Sequence, residues 1–252
     1  MADFRRDRSM SRHAEIDKYA DFPAAGESAH EGEEDTISFA DRAYNIIEAR
    51  IVQLKYPPGF ALSEHQLSQD LGISRTPVRE AFRRLAVDQL IVILPRKGAF
   101  VTEVEVKQYL HLLDLRQQLE IFMAVRAAKR STPEQREMMA RLAAELRAGM
   151  MEPEQAVFVY ADRAYKDLIV EASRNPFVGN IIAPMHALSR RFWYYYRHQW
   201  AGDEAQVAIG HHLAVMDAVA AGNEDAARAA VQQLFVYLEA FAHRILHNEH
   251  II

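Results

Sequence analysis

The order of the elements predicted between Ser38 and Val104 constrains the fold more than any other feature of the sequence. Apolar residues recur at three- and four-residue spacing from Ala43 to Leu54, which predicts a helix that the turn YPPG ends. A short helix follows over residues 63–71, with Ser63 suited to its N-cap and Gly72 to its end.

A third helix and a hairpin complete this segment. The helix begins at residues 74–77, since Ser74 or Thr76 can cap it and a first turn tolerates Pro77. Two β-rich runs, 90–94 and 99–104, are joined by PRKG, which indicates a hairpin with a basic tip. Helix, helix, tight turn, helix and hairpin is the order of a winged helix-turn-helix.

The remainder of the chain is predicted to be helical because loop signals are far apart. The 252 residues include only 10 glycines and 9 prolines. We therefore predict a mainly α protein, in which an N-terminal winged helix-turn-helix precedes a C-terminal all-α helical bundle. The expected boundaries are a disordered charged arm over residues 1–37, the DNA-binding domain over 38–103 and the bundle over 104–252.

Charge and composition limit the classes of function. The net charge is −5, yet residues 72–98 carry six basic and two acidic side chains, which indicates a local patch for phosphates. The absence of cysteine excludes disulfides and zinc–thiolate sites. No apolar run reaches the length of a membrane span and no signal peptide is evident, so we expect a cytoplasmic protein without a membrane partner.

The basic residues of the third helix are suited to reading DNA. Arg75 and Arg79 are four apart and share one face near the N-terminus of the helix, where arginine can pair with guanine O6 and N7. A solvated basic helix face would explain the arginines alone, but the hairpin and the preceding helix favour double-stranded DNA as the partner. The other candidate contacts are Ser74, Thr76, Arg83, Lys97 and Gly98.

The segment YPPGFALSEHQLSQDLGISRTPVREAFRRL, followed by PRKGAFV, resembles the DNA-binding signature of the GntR family of bacterial regulators. The resemblance implies that Arg75, Thr76 and Arg79 contact DNA, with Ser74 nearby and Lys97–Gly98 at the wing tip. Some members carry a DNA-contacting arginine where this chain has His65, so His65 is a further candidate that would alter sequence preference.

Three later segments resemble the helical ligand-binding (FCD-type) domain of FadR-like GntR proteins. They are LRQQLE at 115–120, YADRAYKDLIVEASRN at 160–175 and HLAVMDAVAAGNEDAARAA at 212–230. The resemblance implies a homodimer and an effector, often an organic acid, bound beside a metal that one Asp and three His hold.

The metal ligands that the resemblance implies are incomplete. Asp162 and His212 match, but Lys166 and Leu234 stand where two histidines are expected, and neither a protonated lysine nor a leucine binds a metal. We therefore expect no metal or other cofactor, and an ion pair between Asp162 and Lys166 instead.

The expected effector site combines Asp162, Lys166 and His212 with Arg116, which the family often uses as a pocket arginine. Arg116 can equally pair with Glu120, four residues on. The aromatic segment RRFWYYYRHQW, 190–200, is expected to be core or dimer surface, with one face able to line a pocket.

These features predict a sequence-specific DNA-binding transcription regulator, and a repressor in particular, whose operator binding a small anionic metabolite modulates. An architectural DNA-binding dimer without an effector would keep the reading domain and leave the pocket residues without a role. A helical metal-dependent enzyme would need an intact ligand set. The sequence has neither a nucleophile elbow nor a phosphate loop, so we expect no enzyme.

Overall fold

The computed structural model describes residues 37–149, 155–196 and 204–249. The prediction of a disordered arm over residues 1–37 lies outside the described residues, except for Ile37. The described residues form two compact units. The first runs to Val104 and includes Ala187–Tyr195, and the second comprises Glu105–His186 and the residues from Tyr196 onward.

The first unit is a winged helix-turn-helix, as predicted. Its elements are α1 (Phe39–Val52), β1 (Ala61–Leu62), α2 (Glu64–Leu71), α3 (Arg75–Val87), β2 (Ile91–Leu94) and β3 (Gly98–Val101). The strands form an antiparallel sheet in the order β1-β3-β2, with Leu62 opposite Ala99 and Val92 opposite Phe100. The sequence analysis missed β1, since two residues are too few to show strand alternation.

Local signals fix the ends of the reading helices. Ser63 caps α2 by accepting a hydrogen bond from the backbone N of Gln66. Gly72 ends α2 at a φ of 63°, in the left-handed region that glycine adopts at low cost. Ser74 is the N-cap residue of α3 but makes no side-chain capping bond, so its hydroxyl stays exposed beside the first turn.

The core of the first unit joins α1 and α3 to the sheet. Ile47, Ile51, Phe82 and Leu85 are almost fully buried there, and burying each such side chain contributes about 1.5–3 kcal/mol to stability. Ala187, from a helix of the C-terminal half of the chain, belongs to the same core.

The second unit is all-helical, which confirms the predicted class. Its elements are α4 (Val106–Arg130), α5 (Pro133–Gly149), α6 (Gln155–Ser173), α7 (Val178–Tyr196), α8 (Glu204–Ala220) and α9 (Glu224–Glu249). The long helix α4 packs against α9 and α6, and α5 packs against α8 and α6. None of the helices within the described ranges combines the length and the apolar character that crossing a membrane requires.

The assignment of residues 187–195 differs from the prediction, which places all of 104–252 in the bundle. In the structure these residues of α7 group with the first unit. Leu188 and Tyr194 pack against the winged-helix core beside the buried Ala187. Helical spacing of apolar residues shows that a face is buried but does not show which core buries it, so the sequence could not reveal this assignment.

Candidate functional sites

Helix α3 separates a buried face from a basic face. Val78, Ala81, Phe82 and Leu85 point into the core. The opposite face exposes all the predicted contact residues of this helix and its cap: Ser74, Arg75, Thr76, Arg79 and Arg83. The exposed first turn therefore presents charged and hydroxyl donors, as a recognition helix requires.

Two arginines of α3 have partners within the first unit. Arg79 forms an ion pair with Glu64 of α2, with its Nε 3.1 Å from Oε2. Arg84 Nη1 lies 2.5 Å from Asp41 Oδ1, and its guanidinium stacks over the ring of Tyr44. Arg84 thus connects α3 to α1.

The hairpin between β2 and β3 forms the wing. Its tip exposes Arg96, Lys97 and Gly98, and Gly98 has a φ of 101° that suits glycine. His65 is exposed on the first turn of α2. All eight predicted DNA-binding residues are therefore accessible.

Two arginines of α7 bind elements of the winged-helix unit. Arg190 Nη2 lies 3.2 Å from Glu48 Oε1 on α1. Arg191, only 2% exposed, donates to the hydroxyl of Thr102 at 2.8 Å and also to its backbone carbonyl. Burial lowers the pKa of Arg191 to about 10, which still leaves it charged at neutral pH. The sequence analysis assigned neither role.

A group of seven buried side chains lies inside the second unit, and we call it the central cluster. Lys166 Nζ lies 3.4 Å from Asp162 Oδ1 and 3.9 Å from Glu120 Oε1, and Arg116 Nη2 lies 3.0 Å from Glu120 Oε1. The seven members of the central cluster are Arg116, Glu120, Asp162, Tyr165, Lys166, His186 and His212.

The two histidines complete the central cluster. His186 Nε2 lies 2.9 Å from Glu120 Oε1. His212 Nδ1 lies 2.5 Å from the hydroxyl of Tyr165 and 3.7 Å from Asp162 Oδ1. Burial lowers the pKa of both histidines to about 4, so both are neutral at pH 7, and Nε2–H of His186 donates to Glu120.

The central cluster is internally balanced in charge. Burial alone would raise the pKa of Glu120, but Lys166 and Arg116 outweigh burial and hold that pKa well below its usual value. At their formal charges, Arg116 and Lys166 are two cations against the two anions Glu120 and Asp162, while burial keeps the two histidines neutral at pH 7.

Two family patterns match the chain. Residues 39–101 match "Bacterial regulatory proteins, gntR family", and residues 111–236, half of the chain, match the FCD domain. The chain belongs to the GntR family of bacterial regulatory proteins. The match confirms the resemblance seen in the sequence, and it indicates a transcription regulator.

The chain is also similar to two Escherichia coli repressors. It is 27% identical to the galactonate operon transcriptional repressor of Escherichia coli over 77% of this chain and 93% of that protein. It is 39% identical to the Escherichia coli repressor RspR over 92 residues, which span 36% of this chain and only 40% of RspR.

Solved structures show the same fold. Escherichia coli McbR/YncC matches with a TM-score of 0.73 at 20% identity, covering 83% of this chain and 99% of that one. A GntR-type regulator from Rhodococcus sp. RHA1 matches with a TM-score of 0.63 at 20% identity, covering 82% and 98%.

The metal that GntR proteins of the FCD type would hold does not fit the donors of the central cluster. The Lys166 ammonium lies between two carboxylates, and Leu234, which the resemblance matches to a ligand position, is a buried apolar side chain. Within the described ranges, no three His, Cys, Asp or Glu side chains are grouped as metal ligands would be.

The structure brings the predicted effector residues into one place. Asp162, Lys166 and His212 are direct neighbours, and the expected Asp162–Lys166 ion pair is confirmed. Arg116 joins them through Glu120, the alternative partner considered from the sequence. The sequence analysis missed Tyr165 and His186. Tyr165 precedes Lys166 directly, but no motif pointed to His186.

Proposed function

We propose that this GntR-family protein is a cytoplasmic repressor that binds a two-fold symmetric operator as a homodimer. Its winged helix reads the DNA, and a small organic acid bound at the second unit modulates that binding. A dimer supplies two recognition helices. Both are usually required, because one small domain makes too few DNA contacts to select one operator among the competing sites of a genome.

The exposed basic face of α3 carries this proposal. Arg75, Thr76 and Arg79 stand on the solvent side of a helix whose other side is anchored by Val78 and Phe82. A rigid helix with donors on its first turns matches the major groove, where arginine distinguishes guanine from the other bases.

Selection from a pool of random DNA duplexes with the full chain tests the DNA-binding part. We expect an enriched sequence with two similar half-sites in opposite orientation. Failure to enrich any sequence, by protein that is folded and dimeric, would contradict sequence-specific binding.

The organic-acid effector is supported by the chemistry of the central cluster and by the relatives. Arg116 and Lys166 are buried cations that can bind a carboxylate strongly. A full-length relative is named for a galactonate operon, and galactonate is such an acid. The shared helix α7 supports modulation, since it supplies His186 to the central cluster and Arg190 and Arg191 to the winged-helix unit.

Adding an anion to a charge-balanced cluster has a physical consequence. The cluster would gain a net negative charge, and burial penalises that charge unless a proton binds at the same time. The neutral His186 and His212 can accept this proton. We therefore expect acid binding to consume a proton and to strengthen below pH 7.

The architectural alternative, a DNA-binding dimer without an effector, is favoured by one observation. Arg116 and Lys166 already have carboxylate partners, so the cluster is complete without a ligand. A thermal-shift screen with small organic acids at pH 6 and pH 7.5 separates the two, because a ligand that binds only the folded state raises Tm. No shift with any acid would favour the architectural function.

A further inference from the structure

Glu64 and Arg79 connect the two helices of the helix-turn-helix. Nε of Arg79 donates to both carboxylate oxygens of Glu64, at 3.1 Å and 3.4 Å. Glu64 is the first residue of α2, and Arg79 lies one turn after the start of α3. The carboxylate therefore lies beside the part of α3 that presents the predicted base-reading residues.

Packing holds the two helices in place without this ion pair. Leu67 of α2, Ile73 of the turn and Val78 of α3 are buried in the same core. Ser68 Oγ donates to the carbonyl of Ile73 at 2.7 Å and fixes the turn. The side chains of Arg79 and Glu64 are 51% and 28% exposed, and ion pairs so exposed contribute little to stability. A stabilising role alone therefore does not explain the pair.

The hydrogen-bond pattern leaves the reading end of Arg79 available. Both bonds use Nε, and among the described residues no hydrogen bond to Nη1 or Nη2 is found. Those two nitrogens are the parallel donors that can face guanine O6 and N7. The hydrogen bonds to Nε fix the orientation of the guanidinium plane before DNA binds. Arg79 therefore loses less conformational entropy when it binds DNA.

The charge of Glu64 acts on every DNA sequence alike. A carboxylate at a surface that meets phosphates weakens binding to any duplex. Only a sequence that places a guanine against the oriented Arg79 recovers that loss. Glu64 thus lowers general affinity while it sharpens preference at one base pair.

We infer that Glu64 is a positioning residue that sets the base preference of Arg79. The inference rests on the proposed DNA-binding function and extends it to a residue that does not itself read a base. Arg75 provides the contrast, because no ion pair of Arg75 is found in the described part of the chain.

The test uses the full chain and the sequence enriched from random duplexes. Affinities are measured by fluorescence anisotropy at one salt concentration for a set of duplexes with single base-pair changes, and for an unrelated duplex. Arg79→Ala should abolish the base preference at one base pair of this sequence. At that base pair, Glu64→Ala should lower the discrimination between the preferred base and the others about fivefold or more. It should leave the position read by Arg75 within about twofold, and affinity for the unrelated duplex should rise.

Three variants make this result specific. Glu64→Gln retains an acceptor for Nε and should keep part of the discrimination. Glu80→Ala removes the same charge from an exposed neighbour of Arg79 and should leave discrimination unchanged. In an Arg79→Ala background, Glu64→Ala should not change base preference further.

Two outcomes would overturn the inference. One is that Glu64→Ala keeps the full wild-type base preference at the base pair that Arg79 reads. The other is an equal loss at all positions together with a lower Tm, which would mean that Glu64 only supports the fold. If the wild-type chain enriches no sequence, the proposed function fails first, and that result differs from either variant outcome.

Discussion

Lys166 Nζ lies 3.4 Å from Asp162 Oδ1, four residues earlier on the same face of α6. The same ammonium lies 3.9 Å from Glu120 Oε1 of α4. A single lysine thus places its positive charge between two buried carboxylates. The charge requirement of the cluster is met by a side chain of the protein itself.

The first prediction concerns metal content. Protein purified without chelators should contain no stoichiometric zinc, nickel or manganese by elemental analysis, since Lys166 and Leu234 replace two ligands. The double variant Lys166→His with Leu234→His should gain one bound metal per chain. Stoichiometric metal in the wild type, lost in Asp162→Ala or His212→Ala, would contradict this view of the cluster.

The second prediction concerns the stability that Lys166 provides. Lys166→Met should destabilise the fold by about 3–5 kcal/mol, because it leaves Glu120 and Asp162 buried with one cation fewer. Lys129, in an exposed ion pair with Glu224, is the matched control. Lys129→Met should cost about 0–1 kcal/mol. Urea denaturation of both variants measures the difference, and equal losses would argue against a buried ion pair.

The third prediction concerns pH. His186 and His212 have folded-state pKa values lowered to about 4, and unfolding returns them towards 6.5. The unfolded chain therefore binds more protons between these values, so stability is retained above pH 6.5 and lost as the pH falls towards 4. Each histidine should contribute a slope of up to about 1.4 kcal/mol per pH unit.

Denaturation of the wild type and of His186→Gln across pH 4 to 7.5 measures this slope. The variant should lose stability less steeply than the wild type. Identical slopes for the wild type and His186→Gln would show that the pKa of His186 is not lowered in the folded state.

The fourth prediction concerns assembly. Sedimentation equilibrium of the full chain at micromolar concentration should give twice the mass of one chain, and two chains should bind one operator. The fragment 105–252 is a poor substitute, because it would expose Ala187 and Tyr194 without the core they pack against. Arg75→Ala should remain dimeric while its operator affinity falls. A monomeric full chain would rule out the proposed homodimer.

The fifth prediction separates base contacts from phosphate contacts. Arg75→Ala and Arg79→Ala should each cost about 1–3 kcal/mol and relax preference at particular base pairs. Lys97→Ala, at the exposed wing tip, should weaken all sequences similarly and reduce the salt slope by about one. Gel shifts on operator variants at two salt concentrations decide between these roles; uniform losses for all three variants would contradict the division.

Features encoded by neighbouring residues were predictable from the sequence. The Ser63 cap, the Gly72 turn and the Asp162–Lys166 pair each depend on residues within one or two helical turns. Contacts between distant residues were not predictable. Glu120 and His186 are 66 positions apart, and β1 finds its partner strand nearly forty residues later. Such pairings depend on how the helices and strands pack together, which periodicity does not encode.

The assignment of residues 187–195 to the winged-helix unit limits how freely this protein can exchange parts with its relatives. A chimera joined at residue 104 would combine one protein's reading domain with another's α7. The fit of Ala187 and Tyr194 to the core, and of Arg191 to Thr102, would then depend on the donor sequence. A graft that keeps these contacts would have to carry residues 187–195 together with the reading domain.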